Sequence, residues 1–154
     1  MTMRAKILEI KPEVHYDSTT YEQIVVIELS NGKKMGLFDY DMHTTPDMIG
    51  NSKDLIILAF LPKQVEKLTV IEPRIEPAPE KPADWKNHTF YGKIKKIGVA
   101  DEWHEGEFKY KNLVLLNVGE GEILVDFDEE TLKMVKEGDY IKISALRPDL
   151  LDIR

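Results

Sequence analysis

Long-range self-similarity constrains this chain most, because a duplicated unit commits both halves to the same local structure. Ala5-Lys6-Ile7-Leu8-Glu9-Ile10 resembles Gly92-Lys93-Ile94-Lys95-Lys96-Ile97. After a two-residue insertion in the later copy, 12–39 runs in step with 101–128. Glu13 then falls on Glu102, His15 on His104, Tyr21 on Tyr110, Gly32 on Gly121, and Phe38-Asp39 on Phe127-Asp128. A three-residue deletion next aligns Met48 with Met134, Ile57 with Ile143, Ala59 with Ala145 and Pro62 with Pro148. The expected organisation is a first repeat at 1–71, a linker at 72–86 and a second repeat at 87–154. The stretch 71–82 holds half of the chain's eight prolines, alternating with glutamates. Such a segment is expected to form neither helix nor ladder and to act as an extended, semi-rigid spacer.

Each copy reads as mostly strand. In the first, Ile24-Val25-Val26-Ile27-Glu28-Leu29 runs into Ser30-Asn31-Gly32-Lys33, and Asn-Gly between β-branched residues signals a hairpin. In the second, Leu113 to Val118 leads through Gly119-Glu120-Gly121 to a return strand. There Ile123, Val125 and Phe127 point inward and the acids outward. A short helix follows, with Asp128 as N-cap, Glu129 and Glu130 in its first turn, Lys133 and Lys136 in its last, and Gly138 closing it. The first copy reduces this helix to about one turn, with Thr45 as cap and Pro46 at the first helical position. Fourth strands are expected at Leu55 to Leu61 and Tyr140 to Ala145, and short fifth strands at Val65 to Ile71 and Leu150 to Ile153.

Three strands, a helix and two strands in about 65 residues resemble the OB-fold, and Val135-Lys136-Glu137-Gly138-Asp139-Tyr140-Ile141-Lys142-Ile143 is similar to its passage from helix to fourth strand. The expected class is therefore mainly β: two tandem five-stranded OB-like barrels, each with a short helix between strands 3 and 4. An SH3-like barrel is the alternative. The resemblance implies nucleic-acid binding through aromatic platforms and the loop between the first two strands.

Units this small bury a modest core, so contact with each other or with another chain is expected to support them. The strand Leu55 to Leu61 says where. The repeat places Leu55, Ile57 and Ala59 inside and leaves Ile56, Leu58 and Phe60 as an outer apolar stripe that must be covered. These three form the candidate interface of a protein-interaction or assembly module.

Composition narrows the function. Cysteine is absent, which removes disulfides and thiolate chemistry. No apolar run approaches the roughly 18 residues of a membrane span, and no basic-then-apolar leader opens the sequence, so a cytoplasmic protein is expected. The net charge of −7 opposes a wholly basic surface. The first copy (1–68) holds 8 basic and 10 acidic residues, the second (87–154) 10 and 14.

Catalysis finds no motif. Ser18, Ser30, Ser52 and Ser144 lack a nucleophile-elbow context, and Gly119-Glu120-Gly121 lacks the helix start that would cradle phosphate. No cofactor is expected. The pairs Glu13/His15 and Glu102/His104 are weak metal candidates, since two ligands per loop make no closed zinc site; ordering of the loop is the expected role. The acids Asp39, Asp41, Asp126 and Asp128 read as a solvated strand face and a helix cap. The richest constellation is Trp103, Phe108, Lys109, Tyr110 and Lys111 beside Lys93 and Lys95: rings to stack bases and cations to meet phosphates of single-stranded DNA or RNA. Against it, the outward positions Leu113, Leu115, Asn117, Leu124 and Asp126 offer neither rings nor positive charge.

Overall fold

The computed structural model describes residues 1–16, 19–99, 103–105, 108–110 and 113–154, with the side chains at 14–16, 19–21, 61, 104, 105, 108 and 146 outside that description. Its elements are β1 (Met3–Tyr16), β2 (Thr19–Glu28), β3 (Lys34–Asp39), β4 (Ser52–Leu68), β5 (Arg74–Glu76), β6 (Thr89–Ile97), β7 (Trp103–Glu105), β8 (Phe108–Tyr110), β9 (Val114–Asn117), β10 (Glu122–Val125), α1 (Glu129–Met134) and β11 (Tyr140–Ile153). A single 3-10 turn occupies Pro46–Met48. The protein is mainly β. Nine strands form one sheet in the order β1-β2-β3-β11-β4-β10-β9-β6-β5, and β1 also pairs with β4, closing a five-stranded barrel of β1, β2, β3, β11 and β4. β6 pairs back onto β11, so β11, β4, β10, β9 and β6 make a second ring of pairings.

The two rings share β4 and β11, where the structure departs from the serial arrangement expected. The expected fourth and fifth strands are continuous, 17 residues in β4 and 14 in β11. They run antiparallel from Tyr140 opposite Leu68 to Ile153 opposite Leu55. β4 pairs with β1 at Ser52–Leu55 and then with β10 at Leu58 and Ala59. β11 pairs with β6 at Tyr140–Ser144 and then with β3 at Asp149. Each long strand begins in its own half and ends in the other. Pro62 and Pro148 do not end these strands. They sit opposite Ala145 and Ala59 in a ladder irregular between Ser144 and Ala145, the kind of place where a missing N–H is tolerated.

Equivalent closures recur in both halves. Gly50 N–H donates to Ile7 O (2.7 Å) and Ile7 N–H to Asn51 O (3.0 Å); Gly138 N–H donates to Ile94 O and Ile94 N–H to Asp139 O, both at 2.8 Å. Both glycines have φ of +90°, where a side chain would be strained. Gly138 therefore serves this closure rather than ending α1, whose C-cap is Val135. The ladders place Met3 opposite Leu55 and Phe90 opposite Ile143, so Leu55, not Ile57, is the positional counterpart of Ile143. A slide of two residues keeps side-chain parity, which is why Leu55, Ile57 and Ala59 still face inward.

One apolar core runs through both halves, joining Met3, Ile27 and Leu37 to Phe90, Leu116 and Ile143. Ile123, Val125 and Phe127 enter it as their alternation requires. Asp128 caps α1 by accepting the Thr131 N–H at 2.7 Å, which holds its carboxyl below the usual range. Thr45 precedes the 3-10 turn without a side-chain capping bond.

The proline-rich segment is a docked strap, not a spacer. Arg74, Ile75 and Glu76 are the three non-prolines between Pro73 and Pro77, and they pair with Tyr91, Phe90 and Thr89 on β6. Ile75 and Ala78 are buried. Gly36 N–H donates to Pro82 O (2.9 Å), and a Cβ at Gly36 would lie 2.5 Å from Asp84 O. His88 fastens the other side: its Nδ1 accepts the Ala78 N–H (2.9 Å) and its Nε2 donates to Asp84 O (2.6 Å), the neutral imidazole.

Burial pushes the His88 imidazole below its ordinary value of 6.5, against the Asp84 and Gly36 carbonyls and the Asp84 carboxylate. The unfolded chain takes the proton more readily, so the stability His88 contributes is complete above that value and is lost as pH falls through it. The thermal midpoint should fall between about pH 7.5 and about pH 5.5, and His88→Asn should remove that part of the slope. Equal slopes in the two proteins would exclude His88 as its source.

Candidate functional site

The two sets of residues singled out for opposite functions meet in one place. Trp103 and Tyr110, on the β7–β8 ribbon, are 8% and 4% exposed, and they cluster with Ile56, Leu58, Leu113, Leu124 and Leu151. Phe60 meets Tyr110 edge-on, ring centroids 6.0 Å apart, and Leu115 flanks the cluster. The outer stripe of β4 is therefore covered by its own chain. Two rings expected to stack bases are spent on that cover, and the outward leucines of β9 and β10 explain it: a face without charge also needs burying.

The remaining candidates are dispersed. Lys95 is paired with Glu122 at 2.6 Å. Burial pushes the Glu122 carboxyl up, but bonds from Lys95 and the terminal amine hold it below its usual range. Lys109 is exposed, whereas the Phe108 side chain and Lys111 lie outside the described residues. Glu13 is exposed; the His15 and His104 side chains and Glu102 lie outside the description. Among the described residues no three His, Asp or Glu side chains group as metal ligands. Asp39 corrects the expectation of a solvated acid. It is fully buried and accepts from Gln23 Nε2 (2.9 Å), Thr44 Oγ1 (2.7 Å) and the N–H groups of His43 and Thr44, ordering the turn after β3. Asp126 is also partly buried, which raises its pKa.

A different surface brings rings and cations together: the outer face of β5, β6 and β11. Arg74 on β5 lies opposite Tyr91 on β6, which lies opposite Lys142 on β11; one step along, Lys93 lies opposite Tyr140. The Arg74 guanidinium sits 3.8 Å from the Tyr91 ring centroid, with the Lys142 ammonium at 5.7 Å and Lys93 at 5.6 Å from the Tyr140 ring. Glu76 binds Arg74 at 2.9 Å and raises its pKa. Lys93 and Lys142 have no carboxylate partner among the described residues. Glu66, opposite Lys142, keeps the face mixed in charge. The alternation Tyr91-Gly92-Lys93 and Tyr140-Ile141-Lys142 was visible in the sequence. Its assembly was not, because β6 and β11 meet only through pairing across about 50 residues of chain.

This face continues past Ser144, opposite Gln64 and Thr89, to a cavity of about 420 Å³ lined by Lys63, Gln64, Trp85, Lys86, Asn87 and Ser144. Trp85 and Lys86 belong to the strap.

Compared with known proteins, the chain matches no protein-family model and no curated protein sequence. Among the described residues no helix is long and apolar enough to cross a membrane.

Proposed function

We propose that this chain is a non-enzymatic module that binds single-stranded nucleic acid on the β5–β6–β11 face, and that it is built from two OB-like units exchanging the ends of their fourth strands. The cross-strand array Arg74-Tyr91-Lys142 with Lys93-Tyr140 carries this reading. Two rings on one open face supply stacking surfaces, and ammonium groups beside them lie where a stacked strand's phosphates would run. The guanidinium over Tyr91 is itself a flat cationic surface on which a base can stack. The reading retains the second half of the chain and Lys93 from the sequence expectation, and replaces Trp103 and Tyr110 with Tyr91 and Tyr140. Assembly through Ile56 and Leu58 is the weaker reading, since both side chains are already buried within the chain.

Fluorescent single-stranded oligonucleotides titrated into the full chain test it. Binding in the micromolar range or tighter is expected, weakening with salt by about 0.7 log units per log unit for each phosphate neutralised. Tyr91→Ala with Tyr140→Ala should weaken it at least about tenfold, and Lys93→Ala with Lys142→Ala should flatten the salt slope. Absence of binding at low salt overturns the proposal.

A further inference from the structure

The half-open cavity beside Ser144 has features that the neighbouring tyrosine face lacks: concavity, a tryptophan and neutral hydrogen-bonding groups. Trp85 is half-exposed, and its position is fixed from several directions. Phe38 meets it edge-on at 6.4 Å, Lys86 lies 5.1 Å over its ring, and the strap around it is held by the Gly36–Pro82 bond and by His88. Asn87 holds a left-handed backbone, φ +65°, between Lys86 and buried His88. Lys63 and Lys86 are exposed and have no carboxylate partner among the described residues. Gln64, Asn87 and Ser144 contribute donors and acceptors, and no carboxylate lines the cavity among the described residues. A ring surface, two cations and neutral polar groups together suit a base and its phosphate.

Its place on the sheet is equally specific. Tyr140, Lys142 and Ser144 are alternate residues of β11, so their side chains share one face and follow each other at about 6.6 Å. That is about twice the 3.4 Å stacking rise of a duplex strand, a spacing suited to a stretched strand whose bases are splayed apart. We propose that the Trp85 cavity is a nucleotide subsite: Trp85 stacks one base, Lys63 and Lys86 meet its phosphate, and Gln64, Asn87 and Ser144 contact the base edge. This rests on the single-strand reading of the adjacent face and extends it by one nucleotide.

The chain's two tryptophans allow the subsite to be read directly, because Trp103 is buried and Trp85 is not. In a Trp103→Phe protein, Trp85 fluorescence should be quenched by a nucleoside monophosphate and by oligonucleotides, and not by inorganic phosphate. Lys63→Ala with Lys86→Ala should weaken the monophosphate at least about tenfold. Should Trp103→Phe disturb folding, equilibrium dialysis of labelled monophosphate with the unmodified chain and with Trp85→Leu gives the same answer. Tyr91→Ala with Tyr140→Ala should weaken oligonucleotides yet leave monophosphate binding intact. Oligonucleotide binding without Trp85 quenching, and unaffected by Trp85→Leu, overturns the subsite and leaves the face. Loss of oligonucleotide binding alone removes the face and leaves the cavity.

Discussion

Trp103→Ala should destabilise the folded chain by about 3–5 kcal/mol, the cost of deleting a large aromatic from a packed cluster. The indole is 8% exposed against Ile56, Leu58 and Leu151, and the Arg154 guanidinium lies 5.0 Å from its ring. Its loss opens a cavity where β7 and β8, which form their own two-stranded sheet, pack against apolar side chains of β4 and β10. The thermal midpoint should fall on the order of 10 °C. Because the indole N–H has no hydrogen-bond partner among the described residues, Trp103→Phe keeps an aromatic ring, removes that donor and should cost much less. Denaturant unfolding beside oligonucleotide binding separates the roles: a core Trp103 predicts lower stability with unchanged affinity of the folded protein. Weaker binding at undiminished stability would make it a stacking residue instead.

Arg147→Ala should be nearly as costly, about 3 kcal/mol. Arg147 donates from Nε and Nη2 to the two oxygens of Asp149, at 2.5 and 2.9 Å, and Asp149 is fully buried. The guanidinium also lies 4.2 Å from the Phe38 centroid and 5.1 Å from that of Phe60, linking β3 to β4 across β11. Alanine strips a buried carboxylate of a bidentate partner and removes the cation between two rings. A double-mutant cycle with Asp149→Asn gives the coupling directly, because the variant pair should cost clearly less than the two single changes added together. Additive costs would mean that Arg147 stabilises the fold without coupling to Asp149.

Both predictions concern residues whose roles local pattern could not assign. Side-chain parity was legible: Leu55, Ile57 and Ala59 inward, Ile56 and Leu58 outward, Ile123, Val125 and Phe127 into the core. So were the Asn31-Gly32 turn between β2 and β3 and the Asp128 cap, since each depends on residues a few positions apart. The strap was misread because proline density masks three residues able to pair, and nothing local reveals that β6 offers them an edge. The burial of Trp103 and Tyr110 was not legible, because a tryptophan beside lysines looks the same in sequence whether it faces water or an apolar strand of the other half.

The sequence by itself determined the inward and outward sides of β10 and of β4 from Leu55 to Ala59, the Asn31-Gly32 turn and the Asp128 cap, because strand alternation, caps and turns follow from neighbours within a few residues. Tertiary structure alone decided which strands meet. It ran β4 and β11 past the expected breaks, slid their register by two residues, folded the β7–β8 ribbon over the apolar stripe and aligned Tyr91, Tyr140 and the Trp85 cavity along one face. Such pairings join residues tens of positions apart, and a slide by two preserves every inward and outward side chain, so alternation is silent about it.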